Sequence, residues 1–580
     1  MRTEDRRPRA RRQPAGDGGG APAPANRRNI LCVFPRYAPS FGTFEYAYRL
    51  FPDVSAFMPP QGLLLIAAWL PAEWEVRFID ENRVAATAAD FAWADAVMIS
   101  GMHVQRPFIE DVNARAHRHG KLTVLGGPSV SSCPEFYPEV DILHVGELGD
   151  ATRAIVARID ADTGRPAAQE IYRTGDRVPL EQFPVPAYEL IDVGDYFLGS
   201  IQFSSGCPFQ CEFCDIPALY GRNPRLKAPA QICAELDAIV ANGGRGAVYF
   251  VDDNFVGNKK AAHELLPHLV DWQVRNGYPL RFACEATLNI AKMPDLLALM
   301  REARFVTVFV GIETPEEDAL LAMRKSQNLR SPILEAIETL NGYGLEVVSG
   351  IIMGLDTDTP QTGANIVRFI DQSQIPLLTI NVLYALPKTA LHERLAKDGR
   401  VLPPAVAARR VSNVDFKMPY EDVVRMWFDT VTTAYEPAKL LDRFLTQAQR
   451  TFANRMPMAQ KANGAMIRYG LRVIGRVLWH CGVRADWRRE FWRVCGPLLR
   501  QGRIEEVIHI GAVSYHLISF TRQIQAGDWE ASFYAEARRG LRSGRRDAET
   551  PPPPTPSRKG RGLETPPPLA GGGWGEGRPQ

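Results

Sequence analysis

The stretch SSGCPFQCEFCDIPALYGRNPRLK, residues Ser204–Lys227, holds the pattern that best defines the fold. Cys207, Cys211 and Cys214 lie within eight residues at CxxxCxxC spacing, just after the apolar run GSIQF. The chain has nine cysteines in 580 residues, which is too few for a disulfide scaffold. Three clustered thiols in such a chain indicate metal or redox chemistry.

The number of thiols narrows the kind of metal site. A structural zinc ion takes four protein ligands, and no fourth Cys or His lies near the three cysteines in sequence. Three thiolates suit a 4Fe–4S cluster with one iron left open for a small molecule. We therefore expect Cys207, Cys211 and Cys214 to be metal ligands and to belong to the catalytic centre.

The cysteines open the second of three blocks in the chain. Between residues 198 and 410, six apolar runs alternate with helical stretches. This alternation predicts parallel strands joined by crossover helices, and six units fit a partial or full α/β barrel. Because chemistry in such barrels collects at the carboxyl ends of the strands, the position of the cysteines after the first strand favours an active site there.

The first block, residues 28–160, has the same alternation and predicts a doubly wound sheet. Ligands in such sheets bind beyond the carboxyl ends of the strands. Two predicted strands here end in small residues that would let a ligand approach the backbone closely, namely Ser100, Gly101, Gly126, Gly127 and Pro128. An ordinary glycine turn explains any one of these residues. Two further predicted strands end in small or polar residues, at positions 80–82 and 146–147, and four such ends in one block favour a ligand site.

The rest of the chain predicts helices, a linker and tails. Residues 161–197 are a proline-containing linker, and residues 411–538 carry helical patterns without strand signals. The segments 1–27 and 539–580, rich in Gly, Ala, Pro or Arg, predict disordered tails. A net charge of +2 argues against a nucleic-acid partner. No apolar run is long enough for a membrane span and none forms a secretory signal, so we expect a cytoplasmic protein.

The cysteine motif resembles that of the radical S-adenosylmethionine (SAM) superfamily. The aromatic Phe213 before the last cysteine and the position after the first barrel strand are part of this resemblance. It implies that the three cysteines bind three irons of a 4Fe–4S cluster while SAM binds the fourth. One electron then cleaves SAM to methionine and a 5′-deoxyadenosyl radical.

The same resemblance implies further cofactor-binding residues at other strand ends. Members of the superfamily place SAM-binding groups there, and this chain offers the carboxylates Asp252, Asp253, Glu285 and Glu313. Such groups suit the amine and ribose hydroxyls of SAM. A helix N-cap is the structural alternative for each carboxylate.

The first block resembles the cobalamin-binding (B12) domain that precedes many radical SAM domains. Its sheet pattern, its GGP turn and the ending HVGELG carry the resemblance, which implies cobalamin at the strand ends named above. The DxHxxG motif that supplies a cobalt-binding histidine is replaced by FPRYAPSFG. We therefore expect no histidine on the lower face of cobalamin, with His103 as a neighbour rather than a ligand. The expected fold is α/β: a Rossmann-like cobalamin-binding domain, a partial TIM (β/α)6 barrel and a C-terminal α-helical domain.

Longer stretches resemble one branch of the cobalamin-binding radical SAM methyltransferases, whose members methylate hopanoids. These stretches include CVFPRYAPSFGTFEYAYRL, MPPQGLLLIAAWLP, YFVDDNFVGNKK and SGIIMGLDTDTP, and the similarity covers about residues 28–520. It implies methylation of ring A, at C-2, of a hopanoid lipid, with one S-adenosylhomocysteine and one 5′-deoxyadenosine formed per turnover. The alternatives are the same chemistry on a tetrapyrrole such as a bacteriochlorophyll precursor or on another lipid, and a sensor without turnover.

This function implies two kinds of partner besides the lipid. An external electron donor such as ferredoxin or flavodoxin would reduce the cluster. The segment from Met466 to Arg500 is helical, basic and rich in tryptophan, with Arg468, Arg472 and Arg476 on one face. It suits either a solvated face of a packed domain or a peripheral contact with the inner membrane.

Overall fold

The computed structural model describes residues 26–330, 332–407, 410–457 and 464–527. The two predicted tails lie outside these residues, apart from residues 26 and 27, and so does the end of the predicted helical domain from 528 to 538.

A six-stranded parallel sheet forms the N-terminal part of the chain, in the order β2-β1-β3-β4-β5-β6. The strands are β1 Asn29–Phe34, β2 Glu75–Asp80, β3 Ala96–Ser100, β4 Leu122–Gly126, β5 Ile142–Val145 and β6 Glu170–Arg173. The connecting helices are α1 Gln61–Trp69, α2 Ala88–Trp93, α3 Arg106–Arg118, α4 Pro128–Ser132 and α5 Asp150–Ala161. The order of strands reverses between β1 and β3, and such a switch point is where doubly wound sheets bind ligands.

The inner strands can be recognised in the sequence as apolar runs, because helices cover both faces of the sheet and bury the side chains on both sides. The central residues of β1 and β3 are buried, so these strands appear as unbroken apolar runs. The edge strand β6 differs, because its residues alternate between half-buried and exposed positions. It lies inside the segment 161–197 that we predict as a linker, and it pairs with β5.

A second parallel sheet follows, with six strands in sequential order from one edge to the other. These strands are β7 Gly199–Ile201, β10 Gly246–Phe250, β11 Leu280–Ala286, β12 Phe305–Glu313, β13 Glu346–Met353 and β14 Leu378–Val382. Two short antiparallel strands, β8 Ser204–Ser205 and β9 Arg225–Leu226, lie between the first two. Since β7 and β14 are opposite edges, the barrel is open, which confirms the predicted partial (β/α)6 barrel.

Helices complete the barrel and form the C-terminal part of the chain. The barrel helices are α6 Ile216–Leu219, α7 Pro229–Ala241, α8 Lys259–Asn276, α9 Pro294–Glu302, α10 Glu317–Ala322, α11 Ile333–Gly342, α12 Thr362–Ser373, α13 Ala390–Lys397 and α14 Pro404–Ala407. The C-terminal helices are α15 Tyr420–Ala434, α16 Pro437–Arg450, α17 Gly464–Val477, α18 Arg488–Arg500 and α19 Ile504–Gln525, with a π-helix at Leu478–Arg484.

The C-terminal helices contact the edge of the barrel where its strands begin. The Tyr435 hydroxyl accepts a hydrogen bond from the Leu378 amide at 3.1 Å, and His509 pairs with Glu346 at 2.8 Å. Both partners are the first residues of their strands, so the opposite edge, where the strands end, is left for a site. No helix in the described parts of the chain is long and apolar enough to cross a membrane.

Candidate active site

The three cysteines lie in one loop at the carboxyl edge of the barrel, between β8 and α6. The loop is closed by the Cys207 amide, which donates to the Gly221 carbonyl at 3.2 Å, and by the Cys214 amide, which donates to the Cys211 carbonyl at 3.1 Å. Gly206 precedes the first cysteine at φ 102°, a left-handed conformation that favours glycine. All three thiols are half-buried, so they are accessible to a cofactor without being fully in water.

The electrostatics of the thiols fit a polynuclear cluster. Burial raises the pKa of the Cys207 and Cys214 thiols, and the nearby Cys211 raises both further. Three mutually close thiolates repel one another, and bound iron cations would offset that repulsion. Within residues 26–330, 332–407, 410–457 and 464–527, no three His, Cys, Asp or Glu side chains are grouped so as to hold a single metal ion. A 4Fe–4S cluster needs no such convergence, because each thiolate binds its own iron.

Two polar side chains beside the cysteines were not anticipated from sequence. The Gln327 side-chain amide donates to the Cys211 sulfur at 3.3 Å. The ammonium group of Lys325 lies 5.4 Å from the centre of the Phe213 ring. Burial alone would lower the pKa of Lys325, but the charges of Glu313 and then Cys211 outweigh it and raise that pKa. Hydrogen bonds and cations near the sulfurs are the groups that tune an iron–sulfur cluster.

The predicted SAM-binding residue Glu313 is brought to the same place. It ends β12 at φ 67° and forms a buried ion pair with Lys325. This ion pair lies beside the cysteine loop. The structure thus connects Glu313 with the three cysteines through Lys325, a residue that the sequence analysis does not single out.

Asp252 and Asp253 follow β10, and both shape the backbone of the cysteine loop. Asp252 accepts from the Phe203 amide at 3.2 Å and from the Ser204 amide, and Asp253 accepts from the Gly206 amide at 2.7 Å. Burial raises the pKa of Asp252 to about 7 and that of Asp253 to about 6. The structure therefore gives these carboxyl groups a supporting contact in addition to the predicted role toward SAM.

Glu285, on β11, faces the same region. Burial raises its pKa to about 8, with further contributions from Asp253 and Asp252. The Tyr249 hydroxyl donates to its carboxylate at 3.3 Å. A carboxyl group with this pKa is largely protonated at neutral pH, so it can donate a hydrogen bond as well as accept one.

The cysteine loop is also attached to α13, on a side that the sequence analysis did not consider. The guanidinium of Arg394 donates to the carboxylate of Glu212, the residue after Cys211, at 2.5 Å. The Leu391 amide donates to the Glu212 carbonyl at 2.9 Å. The Glu212 side chain is buried, which makes this ion pair part of the support for the cysteines.

The small residues predicted to hold cobalamin lie at the switch point of the first sheet and at the strand beside it. Ser100 ends β3 and Gly101 follows it, while Gly126 ends β4 and Gly127 leads into α4, which begins at Pro128. Gly127 has φ 96°, and a Cβ there would lie 2.6 Å from the Ser100 hydroxyl oxygen. The two loops, called the glycine cradle below, therefore approach so closely that only glycine fits at position 127, and binding of cobalamin by them stays a prediction.

His103 lies directly beside this cradle. Its Nδ1 shares a hydrogen bond of 3.0 Å with the Ser129 hydroxyl, which in turn contacts the Tyr137 hydroxyl at 2.5 Å. Its Nε2 is buried and has no partner among the described residues. Burial lowers the pKa of His103 to about 4, so the ring is neutral at physiological pH. The structure is thus compatible with the predicted role of a neighbour to the cofactor.

Three comparisons with known proteins agree with this geometry. Residues 53–156 match the model of the B12 binding domain, residues 201–370 match the radical SAM superfamily, and residues 389–529 match a domain of unknown function, DUF4070. The solved structure of the cobalamin-dependent SAM radical enzyme OxsB superposes with a TM-score of 0.52 at 13% identity, covering 86% of this chain and 80% of that one. The fold and the site thus define a cobalamin-binding radical SAM enzyme.

Two curated relatives narrow the family. The hopanoid C-2 methylase of Rhodopseudomonas palustris (strain TIE-1) is 56% identical over 88% of this chain and 96% of the relative. An uncharacterized methyltransferase of Synechocystis sp. is 35% identical over 84% of this chain and 91% of the relative. The chain belongs to the hopanoid C-2 methylase family. This confirms the predicted class, a radical SAM methyltransferase, and its predicted cofactors: a 4Fe–4S cluster, SAM and cobalamin.

Proposed function

We propose that the protein methylates ring A of hopanoid lipids at C-2. The observation that carries the proposal is the near full-length relationship to a hopanoid C-2 methylase, in a chain that has three cysteines at CxxxCxxC spacing. A ring-A carbon is saturated, and its C–H bond is not acidic. Environmental shifts of a side-chain pKa amount to a few units, which is too little for any base in the protein to deprotonate it. Removal of a hydrogen atom by a radical does not depend on the acidity of the C–H bond, so it needs no base.

The residues of the chain would hold and orient the reacting groups. When bound, the cluster supplies the electron that cleaves SAM, and cobalamin carries the methyl group of a second SAM. Cys207, Cys211 and Cys214 would hold three irons, and the Glu313–Lys325 pair would fix the local charge beside them. Asp253 would hold the start of the cysteine loop through the Gly206 amide, and Asp252 would hold the backbone just before the loop through the Phe203 amide.

The overall reaction replaces one C–H hydrogen by a methyl group. The hydrogen leaves in 5′-deoxyadenosine, and the second SAM leaves as S-adenosylhomocysteine. The first SAM would also yield methionine, and the overall reaction would consume two electrons for each methyl group added. We propose that an external one-electron donor such as ferredoxin or flavodoxin supplies both.

The test is expression in a bacterium that makes unmethylated hopanoids, with cobalamin supplied. We expect mass spectra of the lipid extract to contain a new methylhopanoid whose fragments place the methyl group on ring A. The Cys211→Ala chain should give none at the same protein level. A cluster-loaded wild-type protein that yields no methylhopanoid would contradict the substrate assignment, and tetrapyrroles would then be the next extracts to test.

We also propose that the protein is cytoplasmic and contacts the inner membrane, where a hopanoid would be found. The surface concerned is α17 with the π-helix after it. Leu471, Trp479 and Ile467 are 64%, 53% and 51% exposed there, and the grouping of such side chains in one segment distinguishes this surface from singly exposed apolar residues. Arg468 and Arg472 are exposed on the same helix, and the sequence has no acidic residue between 464 and 485. Exposed apolar groups beside cations suit an anionic lipid surface.

Flotation with vesicles tests this contact. The wild-type protein should float with vesicles that contain anionic phosphatidylserine and float less with neutral phosphatidylcholine. Leu471→Glu should abolish flotation, whereas Val274→Glu, at a residue 56% exposed on α8, should leave it unchanged. Equal flotation of both variants, or dimerisation through this surface in gel filtration without vesicle binding, would contradict the proposal.

A further inference from the structure

One carboxylate connects the carboxyl edge of the first sheet to the cysteine loop. Glu147 follows β5, directly after Gly146, which has φ 113°. Its two oxygens accept from one guanidinium nitrogen of Arg225 at 2.8 and 2.6 Å. The Ser205 hydroxyl also donates to it, at 3.1 Å. These contacts join residues 58 and 78 positions apart in sequence.

The partners of Glu147 frame the cysteines. Ser205 belongs to β8 and Arg225 to β9, and these two strands pair directly, at the two ends of the loop that carries the cysteines. The Arg225 guanidinium also donates to the Ser205 hydroxyl at 3.0 Å. Glu147 therefore contacts both ends of the loop at once, from the domain predicted to bind cobalamin.

A second arginine strengthens the connection. Arg177, which follows β6, pairs with Glu147 at 2.9 Å and donates at 3.1 Å to the carbonyl of Leu219, the last residue of the helix α6 that follows the cysteine loop. The Glu147 side chain is 14% exposed, so solvent weakens these pairs less than on an open surface. Charge-assisted hydrogen bonds of this kind fix orientation as well as adding attraction.

We propose that Glu147 is a positioning residue that fixes the cobalamin domain relative to the cysteine loop. This inference rests on the proposed function. It assigns to Glu147 the role of keeping cobalamin and the cluster-bound SAM in the relative position that methyl transfer requires. Formation of the radical requires the cysteine loop and SAM. Methylation also requires the methyl carrier at the right place, and a displacement of about 1 Å can lower a rate by about 100-fold. Loss of the Glu147 contacts should therefore impair methylation more than cleavage of SAM.

The test is Glu147→Gln in the full-length protein loaded with cluster and cobalamin. The ratio of 5′-deoxyadenosine to methylhopanoid should rise at least about tenfold over wild type. Arg225→Gln should raise it less, because Glu147 keeps its contacts with Arg177 and Ser205. The double variant should raise it no further than Glu147→Gln alone, because Glu147→Gln already removes the charge pair with Arg225. Glu170→Gln is the matched control: it removes the 3.1 Å pair with Arg158 in the same domain and should leave the ratio unchanged.

A spectroscopic measurement separates this inference from the substrate assignment. With cluster and cobalt both paramagnetic, their magnetic dipolar interaction reports the distance between them without turnover. Glu147→Gln should weaken or broaden this interaction, and Glu170→Gln should not. If wild type makes no methylhopanoid but the interaction changes as expected, the substrate proposal fails and the positioning role stands. An unchanged interaction and an unchanged product ratio in a folded, fully loaded Glu147→Gln protein would overturn the inference.

Discussion

The buried ion pair between Glu313 and Lys325 is the most sensitive point of the site. The two residues are 7% and 6% exposed. Burial alone would lower the pKa of Lys325, but Glu313 and the thiols of Cys211 and Cys214 outweigh it and raise that pKa. Removing one partner of a buried pair costs about 3–5 kcal/mol, because the other charge is left without compensation. Replacing both partners by neutral groups avoids that penalty.

Three variants turn this argument into a measurement. Lys325→Met leaves a carboxylate beside the thiolates and should lose about 3–5 kcal/mol. The predicted barrel, residues 198–410, falls in the size class of about 150–250 residues, for which Tm changes by about 2–4 °C per kcal/mol. The expected fall in Tm is therefore about 6–20 °C. Glu313→Gln should lose less, because the thiolates partly compensate the lysine. The double variant Glu313→Gln/Lys325→Met should recover most of the loss.

The assay is thermal unfolding of the cluster-loaded protein by circular dichroism, with iron content measured on the same samples. As a control, Asp422→Asn removes a pair with Arg425 in which the side chains are 47% and 55% exposed, and it should change stability by less than about 1 kcal/mol. If the losses of the two single variants simply add in the double variant, within about 0.5 kcal/mol, the reasoning is refuted.

Three further predictions concern the cofactor sites and the C-terminal helices. Gly127→Ala should weaken cobalamin binding, measured by titration, at least about tenfold, because its Cβ would meet the Ser100 hydroxyl at 2.6 Å; Gly277→Ala, also at positive φ but with no atom within 4 Å, should leave binding unchanged. Gln327→Ala removes a hydrogen-bond donor to the Cys211 sulfur and should lower the reduction potential of the cluster that this cysteine would hold, as protein-film voltammetry would show by comparison with wild type. Burial lowers the pKa of His516, on α19, from 6.5 to about 4. As the pH falls below about 6.5, His516 therefore binds a proton in the unfolded chain but not in the folded one, and the free energy of unfolding decreases. His516→Gln should reduce the loss of unfolding free energy between about pH 7 and 5 by ~2 kcal/mol, and an equal loss in urea titrations of both proteins would contradict this.

The strands and the cysteines could be predicted from sequence because their signals are local. Strands covered on both faces are continuous apolar runs, and the CxxxCxxC spacing is complete within eight residues. The edge strand β6 could not be predicted from the sequence. Its four residues, EIYR, form neither an apolar run nor a clear alternation of apolar and polar residues, and they lie in a proline-containing segment. Its assignment depends on pairing with β5, which the sequence does not specify.

The residues that support the cysteine loop were not predicted, because their contacts join residues that are far apart in the sequence. Gln327 lies 116 positions from the cysteine it contacts, and Arg394 lies 182 positions from Glu212. Neither residue belongs to a recognisable motif, and an isolated polar residue is most often solvated. Asp252 and Asp253 were expected to face SAM, whereas their hydrogen bonds to the loop amides could be known only once the two strand ends were side by side.

Isotope transfer tests the central claim, radical methylation of a hopanoid, most directly. The purified, cluster- and cobalamin-loaded protein would be incubated with SAM, a reductant and a hopanoid that carries deuterium at C-2 of ring A. The account predicts deuterium in 5′-deoxyadenosine and one S-adenosylhomocysteine and one 5′-deoxyadenosine for each methylhopanoid. Methylation at C-2 with unlabelled 5′-deoxyadenosine, or with none, would contradict it.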